Sequence, residues 1–579
     1  MLRYETKKLT LLVCWAGLLL GLRSGGRAQA AAADSGLTLN ELVRRVLERN
    51  ESVQGKLLEF EVNQRKYAAE LGAFEPEGFG SASREANSRQ NNTQQAAAGN
   101  GVSIFREQNN LYSTGLEALA PTGTRVRMGY TLSDLNNNIP AGLFQTAKVG
   151  PQYQSFAGVS LTQPLLKNFG PAATMAGARL AALSSQIAFQ EYRRQLMTMI
   201  GTAEATYWNL HLAQEQVRFF EESLRTAETI LHDNRSRLEA GKSSELEVLE
   251  AQAGAGLRRA KLAEARQKLA EALSRVVSLY GETMSAENAQ LRAVEVPQLG
   301  AVLPALDDAR RQAFTFNPDY LIQRQKTDQE LVRLGYARNQ RRPEVDFKAA
   351  YGLNGLGDSP HDSLKFVERT NYPSWSVGLE VRLPLLGGVK VVNESKAAAL
   401  RLTASELATH ALEIEIRNGM DTAWHKLERA GGSVENYAAA VNYNQRLLES
   451  ALARLDAGKI ESRKVFEIEA DLFEARNSVV ESQVRYQIAW LELQVLSGAL
   501  LQQRHLELTQ DDLQRTTRAL LKNGRLGSGA GFLPANNEQS AHYPSGIEPG
   551  RYDSAVRDAL RRKQKELDLE QQSGNGTPR

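Results

Sequence analysis

Residues 172–241 read AATMAGARLAALSSQIAFQEYRRQLMTMIGTAEATYWNLHLAQEQVRFFEESLRTAETILHDNRSRLEAG. Every seventh residue from Ala182 is apolar: Ala182, Phe189, Leu196, Ala203, Leu210, Val217, Leu224, Leu231 and Leu238. Most residues between them are polar or charged. A repeat of seven sustained this long keeps one seam against a partner helix and imposes a left-handed supercoil. At 1.5 Å per residue the run makes roughly 100 Å of helix. No globular core needs a helix of that length, so it spans a distance or walls a tube.

The rest of the chain bounds what surrounds this helix. It has 579 residues, a formal net charge of +3 and a mean hydropathy of -0.41. The near-neutral charge gives no case for nucleic acid, and the average polarity argues against a bundle of transmembrane helices. Lys7 and Lys8 precede the apolar run Leu9 to Leu22, and Ala28-Gln29-Ala30 offers an A-x-A cleavage site, which together read as a secretory signal peptide. The only cysteine, Cys14, lies inside that run. No small residue sets it up for lipidation, and the mature chain is expected to carry no disulfide or thiolate metal site.

The pattern occurs twice. Helix starts at Leu39-Asn40-Glu41 and Leu306-Asp307-Asp308 lead to Asn50 and Asn317. Pro76-Glu77 returns as Pro343-Glu344, an offset of 267, and Gln163-Pro164-Leu165-Leu166 returns as Leu383-Pro384-Leu385-Leu386, an offset of 220. Leu238-Glu239-Ala240-Gly241-Lys242 returns as Leu455-Asp456-Ala457-Gly458-Lys459, and Gly281 as Gly498, both at 217. The second seam runs Met420, Leu427, Val434, Val441, Leu448, Leu455 and then Val465, Leu472, Val479, Tyr486, Leu493. The falling offset locates two insertions in the first copy: about 47 residues between its two prolines, and three around Asn168 to Pro171. Past Asn523 the chain is polar and charged, and reads as mostly disordered, with one charged helix near Tyr552 to Glu570.

Between the helices the period changes from seven to two. Trp375, Val377, Leu379, Val381 and Leu383 alternate with Ser376, Gly378, Glu380 and Arg382. Ala157, Val159 and Leu161 form the first-copy counterpart, and Phe347, Ala349 and Tyr351 another such run. In the inserted segment Val126, Met128, Tyr130 and Leu132 alternate with Arg125, Arg127, Gly129 and Thr131, joined to Tyr112–Ala118 through Pro121-Thr122-Gly123. The alternation alone fits a half-buried sheet in a soluble domain as well as a transmembrane β-barrel. The secretory leader and the lack of an apolar surface to cover these strands favour the barrel. Strands of about nine residues cross a bilayer when tilted. Two per copy plus the inserted pair give four to six per chain, too few for a closed barrel, so several chains must share one.

This ordered, duplicated set resembles the TolC family of outer-membrane efflux proteins. It is carried by LTLNELVRRVLERN (37–50), the doubled strand–Pro–Leu–Leu segments, the doubled long helices and the doubled Ala-Gly-Lys turns. The resemblance implies a mostly α fold with transmembrane β. Internally duplicated long coiled-coil helices form a periplasmic α-barrel, continued by an outer-membrane β-barrel of three chains with four strands each. It divides the chain into a leader (1–30), first-copy equatorial and tunnel helices (31–76), first-copy strands with the extra hairpin (77–166) and first-copy tunnel helices (167–281). The second copy follows as helices (303–342), strands (343–386) and helices (387–498), before a C-terminal segment (499–579). An equatorial layer from 37–50, 303–317 and part of the C-terminal segment is expected around the middle.

The resemblance also implies a homotrimer in outer-membrane lipid. The turns Ala240-Gly241-Lys242 and Ala457-Gly458-Lys459 would dock a periplasmic adaptor (membrane fusion) protein, linking the duct to an inner-membrane pump of RND or ABC type. Glu247, Lys464 and Glu467 match the periplasmic entrance gate, Lys464 departing from the acid that some relatives carry. Each glycine also ends a helix through a left-handed turn. The extra segment, Asn87 to Gln152, would extend the barrel or sit above it.

Nothing reads as catalysis. None of the seven histidines falls into a metal-ligand spacing, and no nucleophile elbow, P-loop or dinucleotide fingerprint occurs. Trp208 and Trp424, on the long helices, read as packing. No cofactor or metal is expected. The expected function is a passive exit duct for small molecules. The same duct serving type I protein secretion, and a periplasmic adaptor or helical scaffold, are the rivals; the alternating strands speak against the scaffold.

Overall fold

The computed structural model describes residues 36–98, 101–139, 152–241, 244–299, 303–384, 388–457, 459–506, 509–513 and 515. The expected leader and the tail beyond Asn523 lie outside these residues, as do Lys242 and Gly458.

Two short helix pairs open the two copies: α1 (Leu39–Arg49) and α2 (Glu51–Gly72) in the first. The carboxamide of Asn50 separates them. Its Oδ1 accepts from the amides of Ser52 and Val53, and its Nδ2 donates to the Leu279 carbonyl at 2.9 Å. This satisfies two of the orphan donors at a helix start and one orphan acceptor at a helix end. The first copy continues through β1 (Glu77–Gln90), β2 (Ile104–Leu119), β3 (Arg125–Asn137) and β4 (Gln152–Pro164). It then descends through α3 (Ala176–Glu239) and returns through α4 (Glu245–Leu279).

The second copy repeats the plan with α5 (Leu306–Phe316), α6 (Pro318–Gln340), β5 (Glu344–Gly357), β6 (Pro373–Arg382), α8 (Val389–Asp456) and α9 (Ser462–Ser497). A helix not foreseen from the sequence, α7 (Pro360–Glu368), joins its two strands. Asn317 does for α6 what Asn50 does for α2, accepting from Asp319 and Tyr320 and donating to the Leu496 carbonyl at 2.9 Å. Gly281 and Gly498 follow the return helices with φ +71° and +73°. The duplication is therefore repeated down to single hydrogen bonds.

The long helix begins four residues later than the heptad run. Pro171–Thr174 forms a separate turn, and α3 starts at Ala176. The seam behaves as its period demands. Leu196, Ala203 and Leu210 are buried in α3, and Met420, Leu427, Val434 and Leu455 in α8, while Leu238 at the far end is exposed. Side by side, the helices form a wall four deep near the strands, in the order α2–α3–α6–α8. Further down α4 takes the place of α2 and α9 that of α6.

A belt of core crosses the middle of this wall. Leu39, Leu42, Val43 and Val46 of α1 pack on Tyr207 and Trp208 of α3, and on Leu500, Leu501, Leu506 and Leu513 of the C-terminal segment. A short parallel pairing of Gly36–Leu37 with Arg292–Ala293 closes it. In the second copy Ala309 and Ala313 pack on Met420, Leu427 and Tyr486, and the Trp424 indole donates to the Pro304 carbonyl at 2.9 Å. Both tryptophans are packing residues.

Within the belt, Arg504 donates to the buried Glu204 carboxylate at 2.6 Å, while its other oxygen has no partner. Burial pushes the Glu204 carboxyl above the ordinary carboxylate range, Arg504 pulls it partly back, and Glu295 adds to the rise. A carboxyl raised by folding binds its proton more tightly in the folded chain. Its contribution is thus full below the unfolded value of about 4.5 and is lost as pH rises through the raised one. Hydrogen exchange of amides 500–506, corrected for intrinsic rates, should therefore quicken as pH climbs through that window. Glu204→Gln should flatten the response.

Among the described residues, six long strands form one antiparallel sheet in the order β1-β2-β3-β4-β5-β6. This corrects the four strands per chain implied by the family resemblance. It also settles the place of the extra segment: β2 and β3 lie in the sheet, not above it. The strands are 10 to 16 residues long, longer than the nine anticipated.

Candidate duct wall and periplasmic tip

The register sorts the sheet into two unlike faces. Opposed residues include Leu116, Met128, Val159, Tyr351 and Trp375 in one row, and Ala118, Val126, Leu161, Ala349 and Val377 in the next. Six successive rows on this face, from Val345–Val381 to Ala82–Tyr112–Leu132–Ser155–Gly355, carry no charge. The first charges come in the following row, with Arg84 and Asp134. Five steps of two residues make roughly 34 Å along the strands. At a tilt of ~40° this is roughly 26 Å of height, that of the apolar band of outer-membrane barrels. The row from Leu116 to Trp375 is not covered by its own chain: Trp375 is 75 % exposed and Met128 56 %. Helix α7 marks the upper rim of the band. Ser155 Oγ donates to the Ser363 carbonyl at 2.9 Å, and a Cβ on Gly355 would collide with that carbonyl, so only glycine admits the helix.

The opposite face is polar. At its lower end lie Arg125, Arg127 and Lys348 with Glu117, Glu344 and Glu380. Arg382 and Lys167 both bond Glu344, at 2.8 and 3.1 Å, and Lys348 bonds Glu380. Arg125, Glu344 and Arg382 border a cavity of about 750 Å³ where the sheet meets the helices, shared with Arg333 and Tyr336 of α6. Higher up, Gly115, Gly129, Gly158 and Gly352 stand directly opposite one another across four strands. The Phe79 ring lies over the first two and the Phe156 ring over the last two. An apolar belt with a polar reverse is what a wall between lipid and water requires. Among the described residues, no helix is long and apolar enough to cross a membrane, so the sheet is the element that can.

At the far end, the tip turns carry the adaptor-docking candidates. The Ala240 and Gly241 amides donate to Ser236 and Leu238 at 3.1 and 2.9 Å, closing α3. Gly241 has φ +72° and open space around it, so backbone conformation and not packing asks for glycine. Ser244 then caps α4, accepting from the Glu247 amide at 3.3 Å. In the second turn the Ala457 amide donates to Ala453 at 3.2 Å and the Lys459 amide to Arg454 at 2.8 Å. Both turns present exposed residues.

The gate candidates are brought near the tip but not into an acidic cluster. Glu467 is paired with Lys464 at 2.9 Å and Arg463 at 3.4 Å, and the Lys464 bond holds its carboxyl below the usual range. Glu247 sits on the other return helix, its carbonyl bonded by the Asn234 carboxamide at 3.2 Å.

The structure adds residues that sequence reading missed. Asn234 also donates to Ser462 Oγ at 2.8 Å, and Arg237 to the Leu455 carbonyl at 3.0 Å, tying the two copies together at the tip. Above them the buried Arg258 of α4 pairs with buried Glu469 of α9, donates to Ser223 at 3.0 Å and covers the Phe466 ring at 4.5 Å. A signal existed: Arg258 stands three residues after the seam residue Ala255, and Glu469 four after Val465, so both are charges on an apolar seam.

Comparison with known proteins agrees with this geometry. Residues 127–282 and 309–499 match the model of the outer membrane efflux protein family. The alkaline protease secretion protein AprF of Pseudomonas aeruginosa is 24 % identical over 375 residues, 64 % of this chain and 75 % of that protein. The outer membrane efflux protein BepC of Brucella suis is 22 % identical over 345 residues, 59 % and 70 % of the two chains. The CmeC outer membrane channel of Campylobacter jejuni superposes with a TM-score of 0.56 at 15 % identity, over 84 % of this chain and 89 % of that one. The outer membrane protein VceC of Vibrio cholerae gives 0.55 at 14 %, over 79 % and 96 %. The family is one of channels, and its match spans more than half of this chain. The chain therefore belongs to the outer membrane efflux protein family and is an outer-membrane exit duct.

Proposed function

We propose that three copies join side by side into a ring that walls a passive duct for small molecules, with an adaptor at its tips and an inner-membrane pump supplying the energy. The observation that carries this reading is the pair of unpartnered edges. On one side stand β1, α2 and α4; on the other, β6 and α8. Along α8 the seven-spaced Leu400, Leu407 and Ile414 are exposed, and on α2 so are Leu58, Val62 and Leu71. Lower down, Leu246, Leu249 and Leu257 of α4 answer Tyr443 and Leu447 of α8. Unlike edges that fit one another make a head-to-tail contact, which closes into a ring when the rotation allows.

Burying a leucine is worth about 1.5–3 kcal/mol. Leu400→Asp with Leu407→Asp should thus leave the chain as a monomer by native mass spectrometry in detergent. A double variant that stays fully assembled overturns the reading.

The Ala240-Gly241-Lys242 and Ala457-Gly458-Lys459 turns are the proposed adaptor contacts, open to photo-cross-linking from position 241. Glu247, Lys464 and Glu467 form the proposed entrance rim. With Glu467 paired to two cations, the rim is near neutral and excludes neither sign of cargo strongly. A second reading has one observation in its favour: two relatives, AprF and the proteases secretion protein PrtF of Dickeya chrysanthemi, are named for protein secretion. Deleting the gene separates the two. Loss of drug tolerance with an unchanged set of secreted proteins supports small-molecule efflux, and the reverse supports secretion.

A further inference from the structure

We infer that a cavity at the lower edge of the lipid-facing band seats an anionic phospholipid of the periplasmic leaflet, its phosphate on Arg341, Arg342 and Lys390. The inference rests on the apolar face of the sheet and not on the number of chains in the ring.

The cavity holds about 790 Å³ and lies where the end of α6, the end of β6 and the first turn of α8 come together. Its height is set by the sheet. Glu344 and Arg382 line it, and they stand one residue below Val345 and Val381, the lowest charge-free row. Leu383 lines it too, the next residue in the alternation of Trp375, Val377, Leu379 and Val381. Leu383 is exposed, as is Val389 across the cavity on α8. The cavity therefore opens where acyl chains give way to headgroups.

Its charge is one-sided. The described residues that line it include five cations, Lys167, Arg341, Arg342, Arg382 and Lys390, and one carboxylate, Glu344. Glu344 is already held by Lys167 and Arg382, at 3.1 and 2.8 Å. Arg341 and Arg342 have no acidic partner among the described residues. Lys390 reaches only Glu394, at 4.0 Å along the exposed face of α8.

Helix ends account for part of this surplus. The Arg341 and Arg342 amides close α6, donating to the Arg338 and Asn339 carbonyls at 3.3 and 3.0 Å, before Pro343. Cations there suit the negative end of a helix dipole. Lys390 does not fit that account. It stands in the first turn of α8, at the positive end, where a cation is unfavourable. That turn holds no acid, and Gly388, its cap, gives the first amides no side-chain acceptor. Two helix ends thus bring cations to one place, beside amides that still lack an acceptor. A phosphate answers both, bridging guanidinium groups and taking bonds from the helix start. The apolar flank of Leu383 and Val389 then favours a phosphate that carries acyl chains over a free one.

Native mass spectrometry of the full chain, stripped of lipid in detergent, is the test. Phosphatidylglycerol should bind in preference to phosphatidylcholine, and inorganic phosphate should not displace it. Arg341→Gln/Arg342→Gln/Lys390→Gln should weaken that binding about 100-fold, roughly fivefold per cation. Lys261→Gln/Lys268→Gln/Arg275→Gln removes the same charge from exposed positions of α4 and should leave the binding unchanged. On the wild-type chain, phosphatidylglycerol with a photoreactive acyl chain should label Leu383, Pro384 or Val389. Equal affinity in the first variant and the wild type overturns the inference, as does a label that avoids these three residues. Displacement by inorganic phosphate also overturns it, since the cavity would then take any free anion. If the first variant keeps its lipid but comes apart into single chains, the cations serve the joint between copies and the inference fails, while the ring reading gains.

Discussion

Arg258→Ala is expected to loosen the periplasmic end of the duct and raise its resting conductance. Arg258 and Glu469 are both nearly dry, at 10 % and 8 % side-chain exposure, and they join the two return helices just above the tip. Removing the guanidinium strands a buried carboxylate and also empties the place between Ser223, the Gly254 carbonyl and the Phe466 ring. Breaking a buried pair from one side costs about 3–5 kcal/mol. Single-channel recording in a planar bilayer should show larger or more frequent openings, and amides in 245–262 and 462–480 should exchange faster. Replacing both partners by leucine is the informative control, because a dry apolar pair recovers most of the loss. If Arg258→Leu/Glu469→Leu restores both closure and protection, the link acts by holding the helices together. Unchanged conductance in Arg258→Ala would remove the pair from any account of entry.

The second large effect is expected in the sheet. Val377 sits two rows above the lower edge of the charge-free face, beside Ala349. Val377→Arg places a charge within the lipid band at about 2–4 kcal/mol per chain, or roughly 6–12 kcal/mol for the proposed ring of three. Mature protein should vanish from the outer-membrane fraction or lose its resistance to urea. Its neighbour Ser376 points to the polar face, in the row of Glu117 and Arg127, and Ser376→Arg should assemble normally. Equal damage from both substitutions would mean that the two faces are not lipid and water.

How far the sequence could be read follows from which faces are buried by what. Seams repeat every seven residues because each must stay against a neighbour, so α3, α8 and the duplication were legible to within a few residues. The strands Arg125–Asn137 and Pro373–Arg382 were legible because lipid and water demand opposite side chains. β1 was not: its apolar-face residues are Gly78, Gly80 and Ala82, too small to mark an alternation. The count of four to six strands could not be narrowed for that reason. The short helix α7 was missed although Ser359-Pro360 and Asp362 carry its start, the Ser359 hydroxyl accepting from the Asp362 amide at 3.2 Å. Arg258 and Glu469 each stand on an apolar seam, but they lie 211 residues apart, and only folding shows that these two charges meet.

The unlike edges of each chain also have a genetic meaning. Every member of a head-to-tail circle must both give and receive a shoulder, so a copy with one bad shoulder spoils its companions. If a cell makes sound chains and Leu400→Asp/Leu407→Asp chains in equal amounts, and they mix freely, only ~1 of the proposed three-membered circles in 8 escapes a faulty joint. The defect should thus behave as dominant, and its severity should track the dose of the altered allele.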